Sequence, residues 1–307
     1  MTICEKITQL FPIRKTAAQK RAFRQWVMGE MSRMGYRARV EENDNGRQQN
    51  IVVGDPVHAE VTFTAHYDTP ATILLPDLQI PRNFPVYLLW QLLIIGGMLL
   101  ISLVAGLCLG LLTGNGDVMI FTFFGAFLVL MWLQLYGFAN RNNVNDNTSG
   151  VATILETMAR IPEEDRSKTA FILFDNMEKG RKGSKAWARD HLEAQHTRFF
   201  VNVDSVGVGD VFLASASSLA MQMPQYAALQ QAADTIPGRE CRFHSSVTTR
   251  VNSDFRSFKC GVGISAYRQV SGVGLYLGDL HTARDTQADQ NNIEGLAEAF
   301  SGLVKQL

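Results

Sequence analysis

Val61-Thr-Phe-Thr-Ala-His-Tyr-Asp-Thr69 is the stretch on which the reading of the fold turns. Val61–Ala65 reads as a short strand, with an imidazole and a carboxylate just beyond it, at His66 and Asp68. Side chains two apart on an extended backbone share a face, so this pair is expected side by side. The same arrangement recurs downstream. Ala170–Phe174 leads into the polar run Asp175 to Glu178, and Phe199–Val203 leads into Asp204. Further strands are predicted at Tyr36–Glu41, Asn50–Val53, Val211–Ala214, Arg239–Phe243 and Gly263–Tyr267. Helices are predicted at Gly150–Arg160, Gly183–His191, Pro224–Ala233 and Asn291–Lys305. An N-terminal helix buries Phe11, Phe23, Trp26, Val27, Met31 and Met34. Such alternation predicts an α/β fold of three layers, α/β/α, around a mixed, largely parallel sheet. Its chemistry is expected at the carboxyl ends of the strands.

One segment breaks the pattern. Phe84 to Gly116 carries no charged residue, nor does Val118 to Asn140, and Asp117 is the only charge between them. A membrane span needs about 20 apolar residues at a rise of about 1.5 Å each, and both runs are long enough. Two transmembrane helices, about 86–112 and 118–138, are expected to form a hairpin around Thr113-Gly-Asn-Gly-Asp117. The domain reading is therefore a discontinuous domain, 1–83 and 141–307, with the hairpin 84–140 inserted. Arg82 and Arg141 flank the hairpin and its turn has no Lys or Arg, which places the soluble part on the cytoplasmic side. Gly106-x-x-x-Gly110 is expected to pack the hairpin on itself, with a homo-oligomer face as the alternative.

The 307 residues include 29 basic and 29 acidic side chains, a balance that argues against a nucleic-acid partner. Met1 to Arg24 lacks the apolar core of a signal peptide, so no export signal is expected. Cys4, Cys108, Cys241 and Cys260 show no metal-ribbon spacing and suit a reducing compartment.

Candidate chemistry gathers where strands end. His66, Asp146, Glu178, Asp204 and His281 supply two imidazoles and three carboxylates, a donor set suited to paired divalent ions, zinc above all. Asp68 is placed to orient His66. Singly, each has a plain explanation: His66 as a satisfied core histidine, Asp146 as a helix cap, Asp204 as a turn former. Spacing alone does not establish a site.

The local words in their order add to this. His66-Tyr-Asp-Thr, Asn145-Asp-Asn-Thr-Ser-Gly, Glu178-Lys-Gly-Arg-Lys-Gly-Ser, Asn202-Val-Asp-Ser-Val-Gly, Ser253-Asp-Phe and His281-Thr-Ala-Arg-Asp-Thr resemble the co-catalytic di-zinc aminopeptidases. That family includes bacterial leucyl aminopeptidases and aminopeptidase Y, and its clan includes glutamate carboxypeptidase and the transferrin receptor. The resemblance implies a membrane-anchored variant acting on peptides with a free N-terminus. It implies two Zn2+ ions bridged by Asp146, with His66 and Asp204 on one and Glu178 and His281 on the other. Asp68 would stand behind His66.

The chain departs from the family at one position. The family usually has two consecutive glutamates after the third motif's strand, a general base and then a ligand; here they read Met177-Glu178. A thioether accepts no proton usefully, and general-base catalysis is worth about 10²–10⁴-fold. Three readings follow. The first is an attenuated hydrolase, the second a base supplied by another carboxylate such as Asp175, and the third a non-catalytic metal- or peptide-binding membrane protein. Glutaminyl-cyclase-like acyl transfer is a further alternative within the clan.

Overall fold

Two capped helices begin the chain in place of the single one expected. In the computed structural model, which describes residues 1–73, 76 and 78–307 and only the backbone of residue 135, α1 is Ile3–Leu10 and α2 is Ala17–Arg33. Each starts in a reciprocal capping box, Thr2 with Glu5 and Thr16 with Gln19, and Pro12 lies in the break. Three strands follow, β1 (Ala38–Asn43), β2 (Gln48–Val53) and β3 (Val61–His66). Next come the long helices α3 (Phe84–Thr113) and α4 (Gly116–Tyr136), the irregular turn Val144–Ser149, and α5 (Gly150–Arg160). The remainder runs β4 (Thr169–Phe174), α6 (Lys182–Asp190), α7 (Leu192–Thr197), β5 (Phe199–Val203) and β6 (Val211–Ala216). It closes with α8 (Pro224–Ala233), β7 (Glu240–Ser245), β8 (Gly261–Val270), β9 (Gly274–Tyr276) and α9 (Gln290–Gln306).

The strands form one mixed sheet in the order β1-β2-β4-β3-β5-β8-β6-β7, with β9 on β8. Its centre, β4-β3-β5-β8, is parallel. Side-chain alternation separates two cores. Phe171 and Leu173 of β4, with Val201 and Val203 of β5, join the larger core under α1, α2, α5, α8 and α9. Ile172, Phe174 and Phe200 turn the other way, onto Trp187, Ala188 and Ala194 of α6 and α7. This is the three-layer arrangement that the strand and helix pattern predicts. The chain passes from β3 to β4 on one side and then crosses back over β3 to β5 on the other, which opens a crevice at their carboxyl ends.

α3 and α4 pack against each other and are long and apolar enough, by length and composition, to cross a membrane. α4 stops at Tyr136, two residues before the expected end of the second span, because the chain turns extended at Gly137. Gly106 and Gly110 face α4: an added Cβ would stand 2.7 Å from the Met119 carbonyl and 2.6 Å from the Met119 Cβ, respectively. The small-residue motif therefore packs the hairpin on itself. Along α3 the buried residues are Ile94, Met98, Ser102 and Gly106, one stripe at four-residue spacing. Leu100, Leu111, Leu112, Phe121 and Leu128 remain largely exposed on the outside.

The root of the hairpin is fastened to the domain. Thr72 N donates to the Phe138 carbonyl (2.7 Å), Asn140 N to the Pro70 carbonyl (3.0 Å) and Ile73 N to the His281 carbonyl (3.0 Å). Below the root, Arg14 is wholly buried. It donates to the carbonyls of Tyr67 (2.6 Å) and Phe11 (2.9 Å), to Asn143 Oδ1 (3.1 Å) and to Thr148 Oγ1 (3.0 Å). Burial lowers its pKa to about 10, against the pull of Asp68, so it stays charged at neutral pH. One guanidinium thus joins the N-terminal segment, the exit of β3 and the segment that follows the hairpin. Arg14→Met keeps the bulk but orphans several buried acceptors, each worth about 1–3 kcal/mol. Denaturant unfolding in detergent should show a loss of about 3 kcal/mol or more; a loss below about 1 kcal/mol would contradict this role.

Candidate metal centre

β3 ends on His66, which is fully buried. Facing it is Asp146, in the irregular turn that follows the hairpin. The amides of Asn145 and Asp146 both donate to the Asp285 carboxylate, at 2.6 and 3.0 Å, and this clamp holds the Asp146 backbone in place. Asp146 Oδ1 lies 3.3 Å from His66 Nε2, and its Oδ2 lies 2.9 Å from His281 Nε2. A single carboxylate therefore presents one oxygen to each of two imidazoles. Asp204, just past β5, places Oδ1 3.7 Å from His66 Nε2. Its Oδ2 accepts a 2.6 Å bond from Ser253 Oγ. Glu178 Oε2 is 3.7 Å from His281 Nε2. Two donor triads result, His66–Asp146–Asp204 and Asp146–Glu178–His281, each with donor atoms within 4.8 Å of one another.

Asp68 does more than stand behind His66. Its carboxylate is 3.5 Å from His66 Nδ1, but its hydrogen bonds come from the Met177 and Glu178 amides, at 2.9 and 3.2 Å. It thereby ties the end of β3 to the turn after β4. Asp175 is engaged elsewhere: it accepts from Lys20 Nζ at 2.6 Å and from the Gln49 amide at 3.3 Å, in a buried ion pair. Both its oxygens are thus occupied away from the donor triads, which argues against it as a substitute base. Met177 is half-buried.

Two positioning residues stand beside the candidate donors; the sequence offers Asn147, with Asp146, Thr148 and Ser149, as a cap for the helix from Gly150, and gives Asn145 no role of its own. Asn147, fully buried, donates to the Val203 carbonyl (3.1 Å) and accepts from the Ser205 and Gly150 amides (3.1 Å each). It thus joins β5 to the start of α5, and it is the cap that Asp146 does not provide. Asn145 Oδ1 accepts from the Gly207 amide at 2.7 Å. These residues sit inside the motifs already quoted, and only their total burial sets them apart from ordinary turn formers.

The electrostatics are those of an anionic cluster seeking positive charge. Burial pushes Glu178 up to about 8, and the Asp146 carboxylate adds to the shift. Burial also acts to raise Asp146, but the two imidazoles outweigh it and hold the group well below the usual carboxylate range. His66 moves up: burial opposes its charge, yet Asp146, Asp204 and Asp68 prevail. His66 Nε2 and Glu178 Oε1 are also buried without a hydrogen bond. Such groups each cost on the order of 1–3 kcal/mol, which a cation coordinated there would relieve. The mixed nitrogen and oxygen donors suit zinc, so the residues present fit the metal that the sequence reading proposes.

A cavity of ≈ 360 Å³ opens onto this cluster. Glu178, His281, Asp68 and Lys15 line its polar end, and α3 and α4 supply much of the rest. Lys15 donates to the Gly137 carbonyl at 3.0 Å. Burial lowers its pKa, against the pull of Glu178.

Cation uptake should release protons. Glu178 is pushed up to about 8 and His66 is raised as well, so both shifts favour protons on the metal-free site that coordination would displace. Zinc titrated into metal-free protein in weak buffer is expected to liberate about one proton or more, and its apparent affinity to fall as pH is lowered. Uptake without proton release would contradict this donor set.

The profile of peptidase family M28 matches residues 136–303. No curated protein matches the chain. Among solved structures, Porphyromonas gingivalis glutaminyl cyclase superposes with a TM-score of 0.59 at 16% identity, covering 99% of this chain and 96% of that one. The Legionella pneumophila LapA aminopeptidase gives 0.60 at 11% identity, covering 99% and 68%. Fimbriiglobus ruber glutaminyl cyclase gives 0.57 at 13%, covering 99% and 93%. At these identities the likeness is one of fold.

Proposed function

The chain belongs to peptidase family M28, and on that premise we propose that it is a membrane-bound, zinc-dependent aminopeptidase whose activity is held down by Met177. The observation that carries this reading is the pair of donor triads sharing Asp146. His66, Asp146 and Asp204 would hold one ion, and Asp146, Glu178 and His281 the other. Bound zinc would polarise a scissile carbonyl and lower the pKa of water.

This chain's own residues then divide the remaining work. Asp285 and Asn147 fix the backbone around Asp146, Ser253 orients Asp204, and Asp68 fixes the turn carrying Met177 and Glu178. The proton that leaves the attacking water has no carboxylate at position 177 to receive it. Among the described residues, the carboxylates lining the cavity are Asp68, which already accepts two amides, and Glu178, a proposed ligand. Turnover is therefore expected to be slow. Metal content and hydrolysis of leucyl reporter substrates, measured on the chain and on Met177→Glu, test the reading. Two zinc ions per chain and a gain of about 10²–10⁴-fold in kcat are expected. Full metal loading with no gain would refute the missing-base account and leave a metal-holding binding protein.

A second reading, glutaminyl-cyclase-like acyl transfer, draws on the near-complete mutual coverage with the cyclase structures. The two triads favour hydrolysis. Ammonia release from glutaminyl peptides without peptide-bond cleavage would reverse that preference.

The exposed apolar outside of α3 and α4 supports insertion into a lipid bilayer, and Arg82 and Arg141 beside its ends favour the cytoplasmic side for the rest of the chain. Asn115→Cys, in the hairpin turn, is expected to react with a membrane-impermeant thiol reagent in intact cells, and Glu164→Cys only after lysis. The reverse pattern would invert the orientation, and equal labelling would deny the crossing.

A further inference from the structure

The inserted hairpin and the donor cluster are not separate parts of the molecule. Gln91, Ile94, Ile95 and Met98 of α3 stand at i, i+3, i+4 and i+7, which is one helical face, and all four line the cavity that ends at Glu178 and His281. Met131 and Gln134 of α4 line it too, three residues apart. Gln91 and Gln134, the glutamines of these largely apolar helices, thus sit at the cavity wall. A polar side chain within such a helix is expected to face a cavity or a partner rather than hydrocarbon.

The chemistry of the wall is one-sided. Ile73, Ile94, Ile95, Met98 and Met131 make it apolar, and the helices contribute no charged group to it, while among the described residues the charged groups lie at the end occupied by the donor triads. A charged side chain pushed against those isoleucines would lose its hydration without a partner. The lysines at the polar end, Lys15 and Lys179, further disfavour a basic one. Methionine side chains adapt to irregular shapes, so the wall suits a range of medium-sized apolar groups. A volume of ≈ 360 Å³ falls within the range of about 300–1,000 Å³ typical of small-ligand sites.

We propose that the hairpin is part of the substrate site: its inner face receives the apolar side chain of the substrate's first residue, with Ile94 and Met98 as specificity-determining residues. The membrane insert thus selects what the metal centre cleaves, as well as anchoring it. The fastening of Ile73 to the His281 carbonyl keeps this wall in register with the proposed ligands. The inference rests on the metallopeptidase reading above.

Hydroxamates of single amino acids separate the two, because they chelate zinc while offering different side chains. In the full-length protein in detergent, loaded with zinc, leucine hydroxamate is expected to bind at least about 10-fold more tightly than glycine hydroxamate, a modest gain for a hydrophobic pocket. Lysine hydroxamate should bind no better than glycine hydroxamate. Met98→Trp, which fills the cavity, should reduce the leucine-to-glycine ratio to about twofold or less while retaining zinc. Ile94→Phe provides the same test should Met98→Trp not fold. Zinc-dependent binding with equal affinity for leucine and glycine hydroxamates, or a ratio unchanged in both variants, overturns the proposal alone. Absence of any zinc-dependent hydroxamate binding overturns the metallopeptidase reading, and this inference with it.

Discussion

The Asp146 carboxylate, buried with an imidazole against each oxygen, is the constraint on which the rest of the structure depends. An anion removed from water needs compensating charge or donors, and here they come from opposite ends of the chain. His66 closes β3, His281 arrives from the loop before α9, and the Asp285 clamp holds the backbone of the turn. Neither imidazole is near Asp146 in sequence. Their convergence requires β3, the hairpin's exit and the last loop to meet at one point, and the sheet's crossover at β3 is what makes that point available.

The placing of a helical hairpin between β3 and Asp146 follows the same logic. Chain leaving the carboxyl end of a central strand is already at the functional edge, so a segment inserted after β3 and ending before Asp146 begins and ends beside the site. Hydrogen bonds at its root, Thr72 with Phe138 and Asn140 with Pro70, close that neck. Gly106 and Gly110 then let the two helices approach closely. Arg14, beneath the neck, supplies donors to three chain segments at once, which a neutral side chain of the same bulk cannot do.

Much of the site's layout was legible from single motifs, because strand ends are marked by an abrupt change from apolar to polar residues. His66, Glu178 and Asp204 all fall at such changes. Asp285 and Ser253 were given no role of their own, since a buried polar turn residue and an exposed one look alike in sequence; Asn147 was legible only as one of several possible caps for α5. Asp175 illustrates the converse. Its place next to the departure at Met177 made it a candidate base, whereas Lys20, 155 positions away, engages it in the folded chain. The break between α1 and α2 was missed because the apolar pattern runs across it, although Pro12 and the Thr16–Gln19 box mark it.

By itself the sequence determined the alternation of strands and helices, the two long apolar helices and the order of the candidate donors, because these depend on periodicity, length and local composition. Tertiary structure alone decided which oxygen of Asp146 faces which imidazole, that Asp68 binds the turn carrying Met177 and Glu178, and that one face of α3 lines the cavity at the donor cluster. The reason is physical. Periodicity is a property of neighbours along the chain, whereas the partners of a buried charge are set by which distant segments share its space, and a single sequence carries no direct record of that.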